Sequence, residues 1–280
     1  MLCKLCKQEE AIKNSHVIPR FVSEWLKATS RLGGLRNVEQ PNLRRQDATK
    51  IPLLCRKCEN RLSRRGENPF AQNIFYPFNN DEGIKSFAYS DWLLYFVVLM
   101  NWRVGMRLLK AIRSEDAAVG SYFEMALSDW RNFLLDNPSG TNHYAYHLFF
   151  DSIYQCQEFI GSYYDEKYAL QTISYALPYG KTRSAVYIKL PGMTLFTCVN
   201  PPEFGEWDNT RISTTGIVQS TKQRVTDQFF WECMRDDASN ATHKMEAMSD
   251  KQKRELADKI KTTPPIWKIR QARSKKKKRP

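Results

Sequence analysis

Apolar residues recur at helical spacing in several parts of the chain, whereas one central region has the pattern of a sheet. Trp92, Phe96 and Leu99 begin one long helix within a strongly helical region, residues 84–136. Near the other end, Ser249 followed by Gln252 forms a capping box, which favours a helix start. Further helices are predicted at residues 21–27, 58–65, 122–135, 223–234 and 249–261.

Residues 142–218 are rich in β-branched and aromatic side chains, in runs separated by turn clusters such as Pro191-Gly192. They predict an antiparallel sheet of four or five strands, with runs at residues 144–150, 170–175, 184–190 and 193–199. Two more short strands are predicted at residues 14–19 and 51–54, ahead of the helix at 58–65. The predicted fold class is therefore α+β: an N-terminal ββα module, then a helical region and an antiparallel sheet.

This pattern divides the chain into three parts. Residues 1–80 form the N-terminal module, and residues 84–262 form an α+β domain. We expect that domain to be helical over 84–140, mainly β over 141–218 and helical over 223–262. Residues 263–280 are a basic tail, with Pro264-Pro265 ending the fold. No motif in 84–262 indicates an activity, so its expected role is contact with a protein partner or with a second copy of the chain.

The net charge of +13 is distributed unevenly. Residues 1–80 carry 15 Lys/Arg against 7 Asp/Glu, and residues 263–280 carry 8 Lys/Arg and no acid, so each segment has a net charge of +8. Residues 81–262 have a net charge of −3. Positive charge at both ends favours a polyanionic partner such as DNA or RNA. The alternative is a solubilising tail and an ordinary basic surface.

Cysteine usage and hydropathy indicate a cytoplasmic protein. Cys156, Cys198 and Cys233 are scattered and suit free thiols in a reducing compartment. No signal peptide is visible, and the most apolar run, residues 92–100, is too short to span a membrane. We therefore expect a buried helix at this run, and no membrane association.

The remaining four cysteines form two Cys-x-x-Cys knuckles. Cys3 and Cys6 make the first and Cys55 and Cys58 the second, with 48 residues between them. A two-residue spacer lets both sulfurs of a knuckle face one ion, and four thiolates satisfy tetrahedral Zn²⁺. Such a zinc ion has no open coordination position, so its predicted role is structural.

Three residues of the same segment follow one another in an order that suits hydrolysis. His16 ends a predicted strand, Asn42 lies before Leu43, and Glu59 directly follows the last knuckle cysteine. This order, with the knuckles, resembles the HNH endonuclease family, in which a strand ends in Asp-His, an Asn-Leu follows, and a helix opens after Cys-x-x-Cys. The resemblance covers about residues 1–70 and implies a zinc-bound treble-clef fold for the ββα module.

The resemblance also implies a mechanism. His16 would be the general base on water, Asn42 would orient it, and Glu59 would hold a catalytic Mg²⁺ or Mn²⁺ against the scissile phosphate. Ser15 stands where the family has an acidic metal ligand, and a hydroxyl is a poor ligand for Mg²⁺. Two nearby acids are candidate replacements for that ligand, Asp47 and Glu67.

Two functions remain open at this stage. One is an HNH-like DNA endonuclease, a hydrolase of phosphodiesters that is analogous to a phage-defence nuclease. The other is a non-catalytic zinc module that binds nucleic acid or a protein, in which His16 caps a strand, Asn42 makes a turn and Glu59 favours a helix start. Both can use the same predicted phosphate contacts: Arg61, Arg64, Arg65, Lys275, Lys276, Lys277, Lys278 and Arg279.

Overall fold

A computed structural model of the chain describes residues 1–30, 35–37, 40–45, 48–81, 83–137, 143–203 and 205–262. Two sets of predicted site residues lie outside the described residues: Asp47, and the basic tail from Lys275 to Arg279. Within the described part, helices and antiparallel strands are mixed, which confirms the predicted α+β class.

The described residues form ten α-helices and twelve strands. The helices are α1 (Arg20–Thr29), α2 (Arg56–Leu62), α3 (Asn68–Phe70), α4 (Tyr76–Asn80), α5 (Asp91–Glu115), α6 (Ala117–Leu134), α7 (Ile153–Ile160), α8 (Glu166–Gln171), α9 (Gln228–Glu246) and α10 (Asp250–Thr262). The strands are β1 (Ser15–His16), β2 (Leu35–Asn37), β3 (Gln40–Arg45), β4 (Lys50–Ile51), β5 (Ser86–Tyr89), β6 (Tyr146–Phe150), β7 (Ser174–Ala176), β8 (Ser184–Leu190), β9 (Met193–Asn200), β10 (Trp207–Asp208), β11 (Gly216–Gln219) and β12 (Arg224–Val225).

A four-stranded antiparallel sheet, in the order β6-β9-β8-β7, lies at the centre of the fold. Successive side chains of a strand point to opposite faces, and both faces of this sheet are buried. Leu148 and Ile188 join a core that includes the N-terminal segment, α5 and α6. Phe149 and Tyr187 join a second core with α7, α8 and α9. The sheet is therefore covered by helices on both sides.

The helix α5 confirms the expectation of a buried helix at the apolar run. Every residue from Leu93 to Gly105 is buried. By length and composition α5 is able to cross a membrane, with a mean hydropathy of 1.2 over its most apolar window, but 72% of that window is buried inside the protein. Burial of α5 in the core is a sufficient explanation for its apolar composition.

The structure differs from the predicted pattern in detail at two places. The region predicted as mainly β, residues 141–218, contains the helices α7 and α8. The run at 170–175 is the end of α8 followed by β7, because Asp165 caps α8 by accepting a hydrogen bond from the backbone N–H of Tyr168 (2.7 Å). The region predicted as helical contains β5, which pairs with the distant strand β11. At residues 170–175 the helix cap at Asp165 overrides the local strand propensity. At β5, pairing with β11 overrides the local helix propensity.

The N-terminal segment has two short pairs of antiparallel strands and a long helical rod. β1 pairs with β4, and β2 pairs with β3 within the insert between the knuckles. From α2 to α4 the chain stays helical, with π-helical turns at Ser63–Glu67 and Ala71–Phe75. Its side chains, among them Leu5, Trp25 and Leu62, belong to the same core as α5, α6 and one sheet face. The described core thus runs across the predicted boundary between residues 80 and 84.

A buried histidine in β6 gives the fold a defined response to acid. His147 is 3% exposed, its Nδ1 lies 2.9 Å from the Thr210 hydroxyl, and its ring stacks on Trp207. Its Nε2 has no hydrogen-bond partner among the described residues. Burial, with a smaller contribution from the charge of Arg211, lowers the pKa of His147 from 6.5 to about 3.

We expect this histidine to make the protein less stable as the pH falls below about 6.5. Below this pH the His147 imidazole is protonated in the unfolded chain but stays neutral in the folded protein. The contribution of His147 to the free energy of unfolding should therefore fall by about 1.4 kcal/mol per pH unit. Urea unfolding between pH 6.5 and 4 should show a shallower decline for His147→Phe than for wild type. Replacing the exposed His243 by Phe is the matched control. Equal declines in wild type and His147→Phe would contradict the assignment.

Candidate metal centre

The two knuckles meet in space. The sulfurs of Cys3, Cys6, Cys55 and Cys58 all lie within 4.8 Å of one another, close enough to bind one metal ion. Cys6 Sγ and Cys55 Sγ are 3.8 Å apart, far longer than the ~2 Å of a disulfide. Tetrahedral Zn²⁺ with Zn–S bonds of ~2.3 Å sets its sulfurs ~3.8 Å apart, so this spacing is consistent with structural zinc.

Backbone hydrogen bonds bring the knuckles together. In the first, the Lys7 N–H donates to the Cys3 carbonyl (2.9 Å), and Lys7 has a φ of 60°, which closes the turn. The Lys4 N–H donates to the Leu53 carbonyl (2.8 Å), which ties this turn to the chain just before the second knuckle. The second knuckle opens α2, where Cys55 Sγ accepts from the Cys58 N–H (3.5 Å).

The thiols themselves need a cation if all four are to ionise. Burial and the neighbouring sulfurs raise the pKa of Cys58, and burial raises that of Cys55. Burial also opposes ionisation of Cys6, but hydrogen bonds from the backbone of Glu9 and Gln8 and from the Cys3 and Cys55 side chains together outweigh it and lower the pKa of Cys6 to about 6. Four thiolates at this spacing repel one another, and a divalent ion removes that repulsion.

His16 and Ser15 form β1, in the insert between the knuckles. His16 is half-buried and pairs with Lys50 of β4. Ser15 is buried, and its hydroxyl accepts a hydrogen bond from the Leu54 N–H (3.0 Å), directly before Cys55. Ser15 therefore links β1 to the residue directly before the second knuckle.

Asn42 contacts a distant helix. Its side-chain oxygen accepts a hydrogen bond from the Ser249 N–H (2.9 Å), at the start of α10. The side chain is exposed and lies in β3. Asn42 thus caps α10, a contact between residues 207 positions apart in sequence.

Glu59 and Glu67 share one face of the helical rod, as their spacing indicates, and both contact Arg103 of α5. Arg103 Nη2 is 3.0 Å from Glu59 Oε2, and its Nη1 is 2.6 Å from Glu67 Oε1. The Arg103 side chain is 1% exposed, so a guanidinium in the core lies between two carboxylates. These two acids therefore neutralise a buried cation of the protein itself.

The arginines of α2 and the following turn divide into two kinds. Arg61 donates to the Leu134 carbonyl at the end of α6 (2.8 Å), and Arg65 forms an ion pair with Asp136 beyond it while stacking over Tyr95. Arg64 is exposed and donates to the Asn60 carbonyl of its own helix (3.3 Å). Two of the three predicted phosphate contacts therefore attach the zinc segment to α6, and Arg64 faces solvent.

The sequence interpretation placed Arg103 in the long predicted helix but gave it no role in the site. Its position within an apolar helix was a usable signal, since a charge there needs a partner. The partner could not be read from spacing, because Glu59 and Glu67 reach Arg103 only when the zinc segment packs on α5.

Comparisons with protein-family models, with curated proteins and with solved structures give no match for this chain.

Proposed function

We propose that residues 1–80 form a zinc-bound ββα module of the treble-clef kind, similar to HNH endonucleases, and that its role is to bind nucleic acid without cutting it. The observation that carries the second part is the position of Arg103 between Glu59 and Glu67. The order of elements supports the first part: an antiparallel β1–β4 pair, then α2 opening at Cys55.

A nucleic-acid partner is supported by the charge distribution. The zinc segment has a net charge of +8, and so has the tail at residues 263–280, whereas the chain between them is slightly acidic. Phosphate backbones bind segregated basic surfaces, and this electrostatic binding does not require sequence readout. Exposed cations near the knuckles, including Lys4, Lys7 and Arg64, suit such contacts.

The absence of cutting follows from the ligands that a hydrolytic Mg²⁺ would need. Mg²⁺ is held by carboxylate oxygens and keeps several waters. Glu59 and Glu67 are ion-paired with Arg103, so a metal ion that drew both carboxylates away would leave the buried guanidinium without a counter-charge. Such a loss costs about 3–5 kcal/mol. Ser15, buried and bonded to Leu54, supplies no substitute carboxylate.

An HNH-like nuclease remains the second candidate, because β1, β4 and α2 follow the order that the family uses. In that case His16 is the base on β1, and Glu59, in the first turn of α2, binds Mg²⁺ or Mn²⁺. Loss of the general base lowers a rate by about 10²–10⁴-fold.

A cleavage assay on the zinc-loaded protein separates the two candidates. We expect supercoiled and linear DNA to stay intact with Mg²⁺ or Mn²⁺, because Arg103 already occupies the two carboxylates that would bind the ion. We also expect His16→Ala to bind the same DNA as tightly as wild type. Metal-dependent cutting by wild type that disappears in His16→Ala and in Glu59→Gln, with zinc content unchanged in both, would overturn the non-catalytic proposal in favour of the nuclease.

A further inference from the structure

A cleft of about 620 Å³ lies between the start of α7 and the chain that joins β11 to β12. Its volume is within the range of about 300–1,000 Å³ that small-molecule sites have. This α7 cleft shares no residue with the cysteine cluster. A ligand in it is therefore bound by side chains other than those of the metal centre.

One part of the lining of the α7 cleft is apolar and mostly aromatic. Phe150 is buried and packs on Phe78, with ring centroids 4.6 Å apart, and Phe159 is half-buried. The helix α7 begins with Ile153 and Tyr154, which line the cleft and are 53% and 83% exposed. An exposed ring beside packed aromatic side chains leaves apolar surface that a planar ligand group can cover.

Another part of the lining carries two cations. Lys85 directly precedes β5, Arg224 lies in β12, and both side chains are exposed. Within the described ranges of the chain, neither forms an ion pair. Ser152 and Thr221 also line the cleft and add hydroxyl groups. Cations and hydroxyls donate hydrogen bonds, so this part of the cleft suits an anionic group with several acceptor oxygens.

Two acidic residues line the α7 cleft as well, and only one of them carries a free charge. The Asp151 side chain is 1% exposed, and its Oδ2 lies 2.8 Å from Nζ of the buried Lys189, so the pair is neutral. Glu158 is exposed on α7. The free charges of the cleft are therefore two cations against one carboxylate, which favours an anionic ligand over a cationic one.

We infer that the α7 cleft binds a nucleotide, with the base against its aromatic side chains and the phosphate at Arg224 and Lys85. Every base has a face that stacks on aromatic rings. A phosphate offers three acceptor oxygens to the two cations and their neighbouring hydroxyls, whereas a carboxylate offers two. A free nucleotide and one nucleotide of a single strand present the same chemistry. This site goes beyond the proposed function and does not depend on binding by the zinc segment.

The test is equilibrium dialysis of labelled adenosine monophosphate against the full-length zinc-loaded protein, with adenosine and inorganic phosphate as separate probes. We expect the nucleotide to bind more tightly than either part. Arg224→Gln should weaken its binding about tenfold or more, because a charge-assisted hydrogen bond is lost. Tyr154→Ala should weaken it about fivefold or more through lost stacking. Glu158→Gln should strengthen it, because that substitution removes a repelling charge from the cleft.

Lys181→Gln is the matched control, since Lys181 is an exposed cation that lines a different cleft. It should bind the nucleotide as wild type does. A short oligo(dA) strand identifies the source: if the strand binds and loses affinity in Arg224→Gln while adenosine monophosphate is not bound, the cleft takes a nucleotide of a strand.

The inference is overturned if Arg224→Gln binds both probes as tightly as Lys181→Gln, if adenosine alone binds as tightly as its monophosphate, or if Glu158→Gln weakens binding. Its failure is distinguishable from that of the proposed function. Wild type that binds duplex DNA but neither adenosine monophosphate nor the strand removes only the cleft site. Wild type that binds adenosine monophosphate in the α7 cleft but no duplex removes only the proposed function.

Discussion

Removing zinc from the protein is expected to unfold the N-terminal segment. Metal binding by four thiolates contributes on the order of 10 kcal/mol to the folding of small zinc modules. Replacing Cys55 by Ser removes one ligand and also the acceptor for the Cys58 N–H. We expect Cys55→Ser to bind less zinc and to lose the structure of residues 1–80, as judged by metal analysis and hydrogen exchange.

The effect should spread beyond the knuckles. Leu5, Val17 and Leu62 share a core with α5 and the central sheet, so unfolding of the segment exposes apolar surface on the rest of the protein. Cys233→Ser is the matched control, because Cys233 lies in α9, far from the cluster in sequence and outside it in space. Wild-type protein that holds no zinc as purified, or Cys55→Ser with the melting temperature of Cys233→Ser, would contradict the metal centre.

The second large effect is expected at Arg103. In Arg103→Met two carboxylates that are 22% and 12% exposed lose their counter-charge, which should lower the free energy of unfolding by about 3–5 kcal/mol. Chemical denaturation measures this directly. Arg113→Met, on the exposed part of the same helix, removes an ion pair with Glu124 and should cost at most ~1 kcal/mol.

A charge-neutral background distinguishes the ion triad from simple loss of packing. The triple variant Arg103→Met, Glu59→Gln, Glu67→Gln has no unpaired charge at this site, so it should be more stable than Arg103→Met alone. An equally unstable triple variant would mean that Arg103 acts through the volume it fills. Either outcome bears on the proposed function, in which the ion pairs with Arg103 keep Glu59 and Glu67 from binding a metal ion.

Much of the scaffold was predictable from local pattern. The central strands, the long helix α5 and the double knuckle were all readable, since alternation, apolar run length and Cys-x-x-Cys spacing are local signals. The partners of Glu59, Glu67 and Asn42 were not. Each contacts a residue more than 30 positions away, and such contacts depend on how the zinc segment packs on α5 and α10.

The same limit explains the arginines. The sequence does not distinguish Arg61, Arg64 and Arg65: all three are predicted to lie on a basic face beside a knuckle. Packing gives the half-buried Arg61 and the exposed Arg65 partners at the end of α6, whereas the exposed Arg64 contacts its own helix. Charge in a sequence predicts a polyanionic partner, but only tertiary structure separates the cations that hold the fold together from those that face solvent.

Binding of nucleic acid by the basic surfaces of the zinc-loaded protein is the central claim. Its most direct test is the affinity of wild-type protein for a labelled duplex across a salt series, before and after zinc is removed. We predict tight binding at low salt, a steep linear fall of log affinity with log salt, and a weaker, flatter dependence once zinc is removed. No binding at about 50 mM salt, or an affinity that does not change with salt, would contradict the claim.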